Sequence, residues 1–285
     1  MNYVLFFSQL ALAFIRLIGL GVGLDFLLSR KKKRFRGQVA GWSIWTLASI
    51  FQILAQILND VALTETFDFL FAVCTLVGSF LIAVSIIVYF RPVSVQSIFL
   101  FTLLLIILPL IVYFFLGIET AVNFCIFFSF ILVGGLYTIG IIESTNFKTQ
   151  VGQSIKWFYA MIGTAIIQFI VYIYITLEGT NLGLSSVELE NEALVGVNNS
   201  FSIAILVLTV VLLIHLENTR SNQYNYQLKD KYSHDLGNIL QVMVSAFHFI
   251  EGKRVPAEER EKIMDLLNQK SQEVSELIQE IRNLE

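Results

Sequence analysis

The sequence predicts an all-α membrane protein: a seven-transmembrane-helix bundle followed by a cytoplasmic two-helix hairpin that dimerises into a four-helix bundle. Three observations carry this expectation. The 285 residues are 56% hydrophobic and 14% charged, against about 45–50% and about 25% in soluble globular proteins. The charge is uneven, with 20 of the 41 Asp, Glu, Lys and Arg residues in the last 68 positions, from Asn218 onward. That polar tail in turn carries an apolar repeat at helical spacing. With 3 Pro, 2 Cys and 25 Phe, collagen-like, disordered and disulfide-framework classes are excluded. The chain thus divides into a membrane block over 1–217, a juxtamembrane segment over 218–231 and a hairpin over 232–285.

Seven stretches reach the roughly 17–25 apolar residues that span a bilayer: 3–29, 39–59, 67–90, 97–117, 121–142, 157–177 and 199–217. Basic residues in short loops set the orientation. The first loop reads RKKKRFR, Arg30 to Arg36, the third carries Arg91, the fifth Lys148 and Lys156, and the tail opens with Arg220. The intervening loops hold Asp60, Glu65, Glu119, Glu178, Glu188, Glu190 and Glu192, with no Lys or Arg. The amino terminus is therefore expected outside and the tail in the cytoplasm of a multi-pass plasma-membrane protein, with the lipid bilayer as its first partner.

Within the block, the basic cluster follows the first apolar run rather than preceding it, so that run reads as a retained anchor and not a cleaved signal. Cys74 and Cys125 fall mid-span and are expected as small buried hydrophobes. The sequon Asn198-Asn199-Ser200 lies too close to the membrane surface for use as a glycan acceptor. Gly19, Gly21 and Gly23 spell GxGxG, but inside a hydrophobic span they imply close helix packing rather than a phosphate loop. No lysine occurs between Lys156 and Lys229, which excludes a retinal Schiff base in the last span. Clustered intramembrane charges and interrupted spans, the transporter signature, are missing from a pattern whose one mid-span proline is Pro109.

Polar residues inside spans include Gln9, Arg16 and Asp25 in the first, Gln52 and Gln56 in the second, and Gln168 in the sixth. An arginine at mid-helix costs about 2.5–3.5 kcal/mol on insertion scales, so Arg16 requires a partner. Gln9 and Arg16 share one helical face, as do Gln52 and Gln56. Facing these stripes would make a wet sensor pocket in the outer half of the first two spans. The alternative is interhelical hydrogen-bond glue, worth about 0.6 kcal/mol per contact.

In the tail, Tyr232, Leu236, Ile239, Met243, Ala246 and Ile250 recur at heptad spacing. The GKRVP segment follows, with Gly252 as a stop and Pro256 suited to a helix start. Glu258, Glu259 and Glu261 favour the first turn of a second helix, whose stripe is Ile263, Leu267, Val274, Leu277, Ile281 and Leu284, interrupted by Lys270. Two short amphipathic helices cannot cover both stripes alone, and a dimeric four-helix bundle is the expected solution. Extending the first repeat backward places Asn222, Asn225 and Lys229 on the seam. That reads either as a marginal transmission coil or as a plain solvated helix.

On this register His234 lies on the outward face. Asp235 can accept a hydrogen bond from the imidazole Nδ1–H and so leave Nε2 nucleophilic, while Asn238, one turn on, can position a water or phosphoryl oxygen. His248 shares the outward face but is followed by Phe249 where an acid is wanted. His215 sits at the inner end of the last span.

The run SHDLGNILQ, Ser233 to Gln241, resembles the phosphoacceptor box of sensor histidine kinases: His, an acid, two residues, then Thr or Asn. The helices around it look like that family's dimerisation and phosphotransfer hairpin, and a seven-span sensor ahead of such a hairpin is an arrangement the family uses. The resemblance implies that His234 is the phosphoacceptor, Asp235 the adjacent base and Asn238 the residue needed for phosphatase action. Ile239 stands where many such boxes carry a helix-bending proline, so a straighter helix is expected. The family's ATP-binding domain, with its Asn-rich box and glycine lid, is not found before Glu285. ATP and Mg2+ are therefore expected only with a kinase domain outside this chain, which reads first as a truncated kinase and otherwise as a natural phosphotransfer or scaffold protein. The implied partners are a second copy and the receiver domain of a response regulator, with no nucleic acid. The alternative is a non-enzymatic seven-span receptor or scaffold with a dimerising coiled tail.

Overall fold

In hydrocarbon, a backbone segment satisfies its own hydrogen bonds only as a helix or within a closed barrel. The apolar runs of this chain adopt the helix. The computed structural model describes residues 3–28, 35–58, 60–89, 92–142, 155–177, 192–252 and 256–282. Among them all regular structure is α-helical: α1 (Tyr3–Leu28), α2 (Arg36–Ile57), α3 (Val61–Ile87), α4 (Val95–Leu116), α5 (Ile118–Ile142), α6 (Ile155–Leu177), α7 (Glu192–Gly252) and α8 (Ala257–Arg282). Seven of these, α1 to α7, contain a stretch long and apolar enough to cross a membrane. The protein is a multi-pass membrane protein. The basic residues Arg30 to Arg34, Arg91 and Lys148, and the acidic Glu178, Glu188 and Glu190, lie outside the described residues.

The chain divides into two compact units, Met1–Thr219 and Arg220–Glu285. In the first unit α3 is the central helix, with 16 buried positions from Thr64 to Ile87. One cluster joins Leu12, Trp42, Ile82, Phe158, Met161 and Leu213, from α1, α2, α3, α6 and α7. A second joins Phe69, Leu76, Phe80, Leu105 and Cys125, from α3, α4 and α5. Lipid is as apolar as leucine, so close approach has to come from small residues. A Cβ on Gly19 would lie 2.6 Å from the Trp42 ring, and one on Gly78 would lie 2.5 Å from Trp45. The expected packing role of the glycine run is therefore met at Gly19, and at Gly23 against Val39 at 3.3 Å, but not at Gly21, which faces open space. Cys74 and Cys125 are free.

The second unit contains the end of α7 and all of α8. Tyr232, Leu236, Ile239, Met243, Ala246 and Ile250 are among its less exposed positions on α7, together with Asp235, as are Ile263, Leu267, Lys270, Glu273, Val274 and Leu277 on α8. Apart from Asp235 and Glu273 these are the stripes expected from the heptad spacing; Ile281 and Leu284 carry no described side chain. Asn222, Asn225 and Lys229 are exposed in the single chain, while Ser221 and Leu228 are less exposed. Helix α7 runs unbroken through Ile239. Pro256 precedes α8 by one residue, and its carbonyl accepts the Arg260 N–H at 3.0 Å.

Candidate functional site

Polar side chains inside the first unit converge on a cavity of about 180 Å³ lined by α1, α2, α3, α5, α6 and α7. Gln9 and Arg16 project into it from one face of α1, as their spacing requires, and Gln52 meets them from α2. All three are buried, at 3, 6 and 5% exposure. Gln56 does not line the cavity; both of its amide atoms are buried without a hydrogen-bond partner.

Arg16 is held by α2. Its Nη1 donates to the Trp45 carbonyl at 3.0 Å and to Ser49 Oγ at 2.6 Å, and its Cζ lies 5.6 Å from the centre of the Trp45 ring. Trp45 is itself fixed by its indole N–H, which lies 3.1 Å from both the Thr75 carbonyl and Ser79 Oγ on α3. Hydrogen bonds to a charged group contribute about 1.5–3 kcal/mol each. Two of them match the roughly 2.5–3.5 kcal/mol insertion cost of the arginine. No carboxylate pairs with Arg16 among the described residues, and neither Nε nor Nη2 makes a hydrogen bond there.

The far wall comes from helices that sequence reasoning had not assigned to the pocket. Gln168 on α6 donates to Ser202 Oγ on α7 at 2.5 Å. Asn199 donates to Ser8 Oγ at 2.8 Å, so the middle residue of the sequon is buried against α1. Thr209 lies 3.3 Å from Met161 Sδ, and Tyr137 lies 3.7 Å from the same sulfur. The available signal was the mid-span polarity of Gln168 and the paired asparagines at 198 and 199. Nothing in the sequence said which helix they would face. The glue reading asks that these polar groups satisfy one another. Gln9 Oε1, Gln52 Oε1, Thr75 Oγ1 and Asn198 Oδ1 are instead buried with no partner.

The second group of functional candidates lies on α7 in the polar unit. His234 is 74% exposed at its side chain and Asp235 39%. The imidazole Nδ1 stands 3.2 Å from Asn238 Nδ2 and 3.6 Å from Asp235 Oδ1. Helical spacing delivers both, Asp235 from the next position and Asn238 from one turn on. Both side chains meet the ring at Nδ1 and neither touches Nε2, which is the nitrogen an acceptor of a phosphoryl group has to present. The Asn238 amide nitrogen donates, which requires an unprotonated Nδ1 and puts the ring proton on Nε2, whereas Asp235 accepts from Nδ1–H and leaves Nε2 its lone pair; the tautomer follows from which of the two contacts forms. His248 is exposed, and His215 stacks on Trp157 with ring centres 5.7 Å apart. No protein family, curated protein or solved structure matches this chain.

Proposed function

We propose that the protein is the membrane sensor and phosphoacceptor part of a two-component phosphorelay. On this reading the amino terminus is outside the cell, the Arg220–Glu285 unit is cytoplasmic, and its two helices form a hairpin that pairs with a second copy as a four-helix bundle. The observation that supports it best is His234: exposed, with Asp235 Oδ1 3.6 Å from Nδ1, near enough to accept from Nδ1–H in the tautomer that leaves Nε2 its lone pair. Phosphoryl transfer depends mainly on positioning and electrostatics. Nε2 would attack the γ-phosphorus of ATP held with Mg2+ by a kinase domain, forming an N–P bond as the P–O bond to ADP breaks. A receiver-domain aspartate would then take the phosphoryl group. Self-association is favoured by the apolar residues Leu240, Val244, Phe247 and Ile278, which are exposed in the single chain, and paired helices would cover such a surface.

The test is a chimera carrying an ATP-binding kinase domain after Glu285, given Mg2+ and ATP labelled at the γ-phosphate. Acid-labile, base-stable label should enter the chain. His234→Gln should abolish it and His248→Gln should leave most of it, while Asn238→Ala should spare labelling and slow dephosphorylation of the regulator. If His234→Gln labels as well as the parent, the phosphorelay reading fails and a non-enzymatic receptor or scaffold with a dimerising tail takes its place.

A further inference from the structure

Charge balance within the membrane cavity points to its ligand. Among the described residues, Arg16 is the one formally charged residue in the lining, which contains no Lys, His, Asp or Glu. Its guanidinium stays protonated and uses only Nη1 on the protein. Nε and Nη2 form one edge of the planar fork, the edge that takes a carboxylate in two parallel hydrogen bonds. Nε is buried and unpartnered. Fully buried Asp68 lies on α3 outside this lining; at the fork itself a single negative charge would neutralise Arg16, whereas a doubly charged phosphate would leave one charge uncompensated in a low-dielectric interior. Opposite the polar edge the wall is apolar and aromatic, with Phe71, Ile126, Phe130, Tyr172 and Leu206. An apolar cavity of about 150 Å³ takes a molecule the size of benzene, and this one measures about 180 Å³. The orphan acceptors Gln9 Oε1, Gln52 Oε1 and Asn198 Oδ1 ask for a donor, which a hydroxyl on the ligand or a retained water supplies.

We infer that the cavity is a binding site for an apolar monocarboxylate, its carboxylate on the Nε–Nη2 edge of Arg16 and its short hydrocarbon or aromatic body against the Phe130–Tyr172 wall. A free small acid and the head of a membrane fatty acid share this chemistry. The inference deepens the sensor reading and rests on it for what binding is for. The binding itself is measured without phosphoryl transfer, so it stands or falls separately from His234.

The full chain in phosphatidylcholine nanodiscs is dialysed to equilibrium against radiolabelled phenylacetate or oleate, with empty nanodiscs subtracted. Saturable binding at one site per chain is expected. Tighter phenylacetate assigns a free small acid, and tighter oleate assigns a membrane fatty acid. The neutral phenylacetamide should compete about tenfold or more worse than phenylacetate, and Arg16→Gln should weaken binding by a similar factor. Arg16→Lys, which keeps the charge and loses the fork, should fall between the two. Should Arg16→Gln fail to fold, as judged by its thermal unfolding, the amide comparison on the unaltered protein and the cavity-filling Ala165→Phe carry the test. The inference is overturned if uptake of both acids is non-saturable. It is equally overturned if phenylacetamide competes as well as phenylacetate, or if a folded Arg16→Gln binds as the parent does.

Discussion

The membrane unit and the polar unit differ in how plainly their apolar residues show which face is covered. On the tail, the heptad positions Tyr232, Leu236, Ile239, Met243, Ala246 and Ile250 are all shielded in part or in full. Charged and polar residues make up most of the rest of this stretch, so one stripe profits most from leaving water. Helix α4 is apolar on every side, and its buried residues are Leu105 and Pro109, while Phe114 is 82% exposed. Hydrocarbon accepts a phenylalanine as readily as a protein core does, so hydropathy marks where a span lies and leaves its rotation open. In the membrane unit that rotation follows from small residues and polar groups instead, as Gly19 against Trp42 and Arg16 against Trp45 and Ser49 illustrate.

The contrast breaks most completely if the polar unit is not on the side of the basic loops. Cysteine introduced at Ser185 should label fully with an impermeant maleimide in intact cells, and cysteine at Arg34 should not label. The reverse pattern would invert the orientation of the molecule.

Next in size is the tail seam. Residues 220–285 expressed alone should sediment as a helical dimer, and Leu236→Ala should shift it toward monomer, since truncating a packed leucine costs about 2–5 kcal/mol. A stable monomer before mutation would mean that the apolar stripes serve only the single chain.

Gly19→Ala probes the membrane unit by the opposite operation, adding a methyl where the Trp42 ring already stands 2.6 Å from the ideal Cβ position. Overpacking costs about 1–3 kcal/mol, so the thermal midpoint in detergent should drop, while Gly21→Ala, with nothing within 4 Å, should leave it unchanged. Equal effects at the two glycines would show that helix propensity, not packing, governs this span.

The smallest effect belongs to the exposed pair Lys262–Glu258, 3.0 Å apart at one-turn spacing. Lys262→Ala should change the stability of the 220–285 fragment in urea by no more than about 0.5 kcal/mol. A larger change would place Lys262 in an interface.

Much of this protein is legible from residue order alone. The length of each apolar run decides that a helix spans there, and the observed helices follow the expected spans. Their starts shift by up to seven residues, at α7, which begins at Glu192 and continues to Gly252. The start of α3 shifts by six, to Val61, where Asp60 accepts the Leu63 N–H at 3.1 Å. The grouping of His234, Asp235 and Asn238 is legible for the same reason: neighbours and one-turn partners on a helix are fixed by its pitch. The Gln9–Arg16 face of α1 belongs here too. The meeting of Arg16 and Gln52 with Gln168, Asn198 and Thr209 was decided by the tertiary structure, because those residues lie far apart in the chain on helices whose lipid-facing and inward sides have the same composition. Gln56 fell away from the cavity on the same account: sharing a face with Gln52 sets its direction, and the packing of six helices decides where the space is. Local periodicity determines what a helix offers, and only close packing between helices determines what it meets.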